Sequence, residues 1–170
     1  MKKFILTALI IITVCPAITA QQKGNGPNII IIISDDHAYQ TISAYGSKLM
    51  KTPNIDYVTN SICGPSRAVL LTGKYSHKNG FKDNETSNFN AGQDLFVKQL
   101  QANGYQTAWI GKYHLGTQPQ GFDFWQVFPG QGSYYNPDML MMDGSTKRIE
   151  GYAANITEDI AEEWLDHRDT

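Results

Sequence analysis

Apolar residues follow two different rhythms in this chain. Asn28 to Ser34, NIIIIIS, is a continuous β-branched run without alternation, the pattern of a strand buried on both faces. Asp35-Asp36 ends it. Tyr105 to Ile110 repeats the buried-strand pattern, with Gly111-Lys112-Tyr113-His114 at its C-terminal end. Helical signals lie between and after these runs. Pro65 suits a first helical turn, Ala68 to Leu71 is apolar, and Gly73 suits the end. Asp94 to Asn103 carries Leu95, Phe96, Val97 and Leu100 before Gly104, which predicts an amphipathic helix. A last helix is expected with Thr157 as its cap, Glu158 and Asp159 in its first turn, and Ile156, Ile160, Trp164 and His167 on one face. Ser76 to Gly92 and the aromatic, Gly- and Pro-rich stretch from Gly116 to Asp143 read as irregular. Strands alternating with helices predict an α/β fold with a mainly parallel sheet.

The N-terminus obeys another logic. Lys2 and Lys3 precede the apolar run Phe4 to Val14, and small residues lead to Ala20 before Gln21. That is the layout of a secretory signal peptide, and the run is too short to span a membrane. Residues 1–20 are therefore expected to be a signal peptide, and the protein to be exported, periplasmic or secreted. Cleavage removes Cys15 and leaves Cys63 as the single cysteine of the mature chain. A leftover cysteine in an oxidising compartment could be buried and inert, pair between chains, or be chemically used. Over the whole 170 residues, 41% hydrophobic and 18% charged residues exclude a disordered chain. A net charge of -2 provides no basic footprint for nucleic acid.

In parallel sheets, ligands sit beyond the carboxyl ends of the strands. Asp35, Asp36, Lys112 and His114 all fall at that edge. Cys63 lies at the start of a helix, where backbone N–H groups favour anions. Each residue alone has a plainer reading: a turn, a small buried side chain, a solvated lysine or a packed histidine. Together they suggest a divalent cation and an anionic group such as a phosphate or sulfate ester. His37 and His77 sit near these motifs without an assigned role. Asn84-Glu85-Thr86 and Asn155-Ile156-Thr157 match the glycosylation pattern.

Cys63-Gly64-Pro65-Ser66-Arg67, continued by Ala68 to Gly73, resembles the signature C-x-P-S-R-x-x-x-L-T-G of the formylglycine-dependent sulfatases at every specified position. Asp35-Asp36, TPNID (Thr52 to Asp56) and GKYHLG (Gly111 to Gly116) are also typical of that family, in its order. The resemblance implies an alkaline-phosphatase-like sandwich, incomplete in this chain. It implies that a formylglycine-generating enzyme oxidises Cys63 to 3-oxoalanine (formylglycine). One hydroxyl of the hydrated aldehyde would attack sulfur, and the other would expel sulfate. Asp35, Asp36 and the modified Cys63 would hold one divalent cation, calcium. Lys112 would neutralise sulfate charge, Arg67 would fix the nucleophile, and His114 would hydrogen-bond it and help move its proton. Lys112 and His114 would also bind substrate.

The stretch Pro129 to Pro137, PGQGSYYNP, resembles members acting on N-acetylglucosamine 6-sulfate, so a sulfated carbohydrate is the expected substrate. Aromatics from Phe122 to Tyr135 could line a sugar cleft or simply pack. Two departures stand out. Only Tyr57 to Ile62 separate Asp56 from Cys63, where the family places a helix and the start of a strand. The chain also stops at Thr170, before the family's remaining metal ligands. Residues 21–170 are thus expected to be the N-terminal part of a sulfatase catalytic domain, truncated and with an internal deletion near 56–62. The alternatives are a phosphonate or phosphodiester hydrolase of the same superfamily, or a catalytically inactive exported fragment.

Overall fold

The computed structural model describes residues 26–33, 43, 46, 48 and 62–168. The elements run α1 (Cys63–Thr72), α2 (Ser76–Asn79), α3 (Phe96–Ala102), β1 (Ala108–Lys112), β2 (Phe124–Phe128), β3 (Asp138–Met141), β4 (Thr146–Arg148) and α4 (Ala153–His167). The four strands form one sheet in the order β1-β2-β3-β4. β1 and β2 are parallel, with Gly111 opposite Val127 and Lys112 opposite Phe128. β2–β3 and β3–β4 are antiparallel, so the described part of the sheet is mixed.

α1 forms where its punctuation places it. Pro65 falls in the first turn, where a missing N–H costs nothing. Gly73 ends the helix at φ 63, and its N–H bonds back to the Val69 carbonyl at 2.8 Å. Asn79 then stitches the α1–α2 turn. It is buried, donates to the Lys74 carbonyl at 2.8 Å and accepts from the Phe81 N–H at 2.8 Å. α3 matches the expected amphipathic helix over a shorter span. The core gathers Ala68 and Leu71 of α1, Phe81, Phe89 and Ala91 of the following loop, Leu95 and Val97 at α3, and Tyr113, Leu115, Phe122, Trp125 and Val127 from the sheet side.

Four expectations need correction. Asn28 to Ile33 form no strand and are exposed, Ile32 to 91%. A strand needs a ladder partner, and no described strand pairs with this run; propensity alone does not make one. The run still touches the fold, since Asn28 Oδ1 accepts from Arg168 Nη1 at 3.0 Å. The stretch from Gly116 to Asp143 is not wholly irregular, because it contains β2 and β3. Phe124, Trp125, Val127 and Phe128 favour a pleated, half-buried surface despite the glycines around them. The stretch Ser76 to Gly92 likewise contains the short helix α2. Finally, Thr157 does not cap α4. The helix begins five residues earlier than that cap implies, at Ala153, whose N–H donates to the Tyr134 carbonyl at 2.8 Å. Thr157 Oγ1 instead bonds back to the Ala153 carbonyl at 2.8 Å. The expected face survives: Ile156 is buried, Ile160 and Trp164 are half-buried, and His167 is exposed at the helix end.

α4 packs on β1 at Gly111. This glycine has φ +92, and an added Cβ would sit 3.3 Å from Thr157 Cγ2. Gly111→Ala should therefore lower stability by about 2 kcal/mol, from a left-handed non-glycine backbone and a crowded helix contact. A denaturant midpoint unchanged from the parent chain would refute this.

Candidate functional site

The end of β1 and the start of α1 meet. Cys63 opens α1 and is half-buried. Lys112, the last residue of β1, donates from Nζ to Cys63 Sγ at 3.6 Å. Arg67 sits one helical turn after Cys63 and is only 5% exposed. Its Nε donates to the Lys112 carbonyl at 3.1 Å and its Nη1 to the Cys63 carbonyl at 3.0 Å. A buried guanidinium needs such acceptors, and these two come from the two elements that frame the site.

His114 follows the strand with φ 51, a left-handed conformation uncommon for a side-chain-bearing residue. Its carbonyl oxygen lies 2.8 Å from where a Cβ on Gly64 would stand. The loop after β1 therefore presses on the first turn of α1, and glycine at 64 makes room for it. Tyr113, between Lys112 and His114, is 3% exposed and packs edge-on against Trp109 at 5.6 Å. Burial pushes its phenol up to about 12, opposed weakly by the neighbouring Thr117 side chain. The hydroxyl falls short of hydrogen-bond geometry with any partner among the described residues. Tyr113 is thus a core anchor between two residues that stay half-buried.

A third segment reaches the site from the loop after α2. Asn84 Oδ1 accepts from the Gly64 N–H at 3.0 Å. The loop is organised by Asp83, whose Oδ1 accepts from the Glu85 N–H at 2.9 Å and whose Oδ2 accepts from the Thr86 hydroxyl at 2.7 Å. The Thr86 N–H, the Thr86 hydroxyl and the Glu85 N–H, in that order, hold the Asp83 carboxyl well below the usual carboxylate range. Sequence reading saw Asn84 only as part of a glycosylation pattern. The signal it passed over is an Asp followed at short range by Glu, Thr and Ser donors, which predicts a self-bonded turn.

Of the residues expected to carry chemistry, Cys63, Arg67 and Lys112 come together, and the backbone of His114 closes on Gly64 beside them. Asp35 and Asp36, and His37, lie outside the described residues. Among the described residues no group of three or more His, Cys, Asp or Glu side chains clusters as a metal site. His77 is exposed and stacks on Tyr75 at 6.0 Å, away from this chemistry. Nor is any described helix long and apolar enough to cross a membrane. A helix N-terminus, a lysine ammonium and a half-buried sulfur in contact with it share one locality.

Fold and site together define an α/β protein in which a cysteine stands at a helix N-terminus beside a strand-end lysine. The profile of the sulfatase family matches residues 27–169, and the chain belongs to that family. It is 48% identical to an N-acetylglucosamine-6-O-sulfatase of Bacteroides thetaiotaomicron, over 88% of this chain and 29% of that protein. It is 31% identical to the human N-acetylgalactosamine-6-sulfatase, over 65% of this chain and 27% of that protein. A solved protein in complex with its substrate D-glucosamine-2-N,6-O-disulfate superposes with a TM-score of 0.74 at 47% identity, covering 84% of this chain and 32% of that one. The fold is accordingly the alkaline-phosphatase-like α/β fold of the sulfatases, of which the described elements are a part. The chain spans less than a third of the length of these relatives.

Two expectations follow from the geometry. Tyr113→Phe should hold or raise stability, by up to about 1 kcal/mol, because it removes a buried hydroxyl without a good partner; a clear loss in thermal midpoint would show that the hydroxyl is bonded. The Asp83 turn stabilises the loop above the ordinary carboxylate range and loses that contribution only as pH falls through its depressed folded value. Protection of the Thr86 amide should therefore persist at pH 4, and loss of protection there would contradict it.

Proposed function

We propose that this segment forms part of a sulfuric ester hydrolase acting on sulfated glycans, with Cys63 as the precursor of its nucleophile. The observation that carries the reading is Cys63 Sγ at the head of α1, 3.6 Å from Lys112 Nζ, within an unbroken family signature. Formylglycine, which a formylglycine-generating enzyme would make from Cys63, would supply a hydrated aldehyde: one hydroxyl would attack sulfur and displace the sugar alcohol, and the other, on losing its proton, would expel sulfate and restore the aldehyde. Asp35, Asp36 and residue 63 would hold calcium, whose charge would polarise a sulfate oxygen.

The chain's own residues have separable tasks. Lys112 neutralises the charge on the sulfate oxygens from the end of a paired strand. The α1 N-terminus adds its dipole on the same side. Arg67 holds α1 to β1 through two carbonyls and so fixes where residue 63 stands. His114, on the loop pressed against Gly64, is within the same cluster and exchanges the nucleophile's proton. Lys112 and His114 contact the substrate.

The substrate class rests on two supports. The relatives named above include an N-acetylglucosamine-6-O-sulfatase and a protein bound to a disulfated glucosamine. The PGQGSYYNP stretch, residues 129–137, adds exposed Tyr134 and Tyr135. An amino sugar bearing a 6-sulfate is the substrate this combination favours. Export follows from the leader at residues 1–20, and residues 21–170 form the N-terminal part of the catalytic domain.

The experiment pairs mass spectrometry with turnover. In the native host, the peptide bearing residue 63 should carry the mass of an aldehyde rather than a thiol. In the protein that contains this segment, Cys63→Ala should abolish sulfate release from N-acetylglucosamine 6-sulfate, a loss of at least about 10³-fold. An unmodified thiol, or turnover that survives the substitution, would end the proposal. Preferential hydrolysis of a phosphodiester over the sulfate ester would instead assign the protein to the phosphoryl branch of the superfamily.

A further inference from the structure

The Cys63–Gly64 peptide is gripped at both of its polar edges. Its carbonyl accepts from Arg67 Nη1 at 3.0 Å, and its N–H donates to Asn84 Oδ1 at 3.0 Å. α1 has no side-chain cap of its own, since its N-cap is Ile62. The Gly64 N–H is one of the donors that a helix start leaves without an internal partner. Asn84 supplies the missing acceptor from another loop, twenty residues along the chain.

We propose that Asn84 is a positioning residue for the nucleophile, acting through the Cys63–Gly64 peptide. The argument is mechanical. Glycine at 64 would ordinarily let the preceding peptide swing. A plane held at the carbonyl alone can still tilt about that one bond. Held at the N–H as well, it fixes the orientation of the Cys63 Cα and hence the direction of its Cα–Cβ bond, from which Sγ projects. That direction is the one that brings Sγ to Lys112 Nζ.

Gly64 itself reports how tightly the clamp closes. An added Cβ would lie 2.6 Å from Asn84 Oδ1, 2.7 Å from Phe81 Cε1 and 2.8 Å from the His114 carbonyl. Asn84, the core ring of Phe81 and the loop after β1 thus converge on one α-carbon. Asn84 is an exposed residue, yet its loop is held by the Asp83 turn rather than left to drift. Ser87 Oγ continues this lock by accepting from the Lys82 N–H at 3.0 Å.

The functional meaning of this inference rests on Cys63 being the nucleophile precursor, but its test reads the thiol and not turnover. The full chain is made with Cys63 unmodified, and alkylation by neutral iodoacetamide is followed on the peptide that contains residue 63. Asn84→Ala should raise exchange of the Gly64 amide by about tenfold, while amides of β1 and β2 keep their protection. It should also slow Cys63 alkylation by about threefold or more, because the sulfur loses its lysine partner. Lys112→Met should slow alkylation as well, and adding Asn84→Ala to it should bring no further loss, since both act on one contact. Asn84→Asp keeps an acceptor at the same reach and should restore Gly64 protection. If Asn84→Ala does not fold, Asn84→Gln keeps the amide but displaces its oxygen, and should give the same loss of protection. Unchanged Gly64 exchange, or an alkylation effect that persists undiminished in the Lys112→Met background, would overturn the proposal. Because no step requires sulfate release, an inactive protein would leave this result readable.

Discussion

The arrangement depends on one buried cation. Arg67 is withdrawn from solvent and spans two elements far apart in sequence, giving one N–H to the Lys112 carbonyl and another to the Cys63 carbonyl. Burying a guanidinium is costly unless its donors are met, so the geometry around Arg67 is strongly constrained. The end of β1 cannot drift from the head of α1 without stranding that charge. The same constraint brings an ammonium to a sulfur. Lysine in place of arginine would offer a point charge where a planar fork is needed to reach both carbonyls.

Around that cation the site is assembled under compression. His114 adopts a left-handed backbone, and its carbonyl closes on Gly64. Such a conformation costs on the order of 1 kcal/mol and persists only where surrounding structure over-determines it. Tyr113 supplies part of that over-determination. It is locked into the core beside Trp109, so the residues on either side of it have little freedom. A buried aromatic anchor flanked by two half-buried polar residues converts core packing into precision at the surface.

How much of this was legible in the sequence follows from which interactions are local. α1 could be read to its ends because Pro65 and Gly73 act on their own turns. The union of Cys63, Lys112 and His114 was legible from strand ends and a helix start, since topology brings such positions together. The run from Asn28 to Ile33 was misjudged because a strand exists only with a partner, and pairing is not a property of the run itself. β2 was hidden among glycines and aromatics for the same reason: its pairing with β1 decides it. Thr157 looked like a cap because its residue type fits, yet the carbonyl of Tyr134, distant in sequence, starts the helix earlier. Arg67 was expected to fix the nucleophile; the bonds it makes here run to the backbone carbonyls of Lys112 and Cys63, which a sequence pattern does not announce.

Asn84 belongs to the class of features that sequence cannot rank. Its neighbours Asp83, Thr86 and Ser87 announce a self-bonded turn, but nothing in them says what the turn is next to. The glycine after the cysteine is the better clue in hindsight. A glycine inside a helical first turn gives up stability relative to alanine, so its presence calls for a close approach by something else. Here that approach is threefold: an amide oxygen, an aromatic ring and a carbonyl. The placement of residue 63 therefore depends on a space left empty at residue 64. In this family signature, the unspecified position beside the cysteine is where this chain's neighbouring loops take hold.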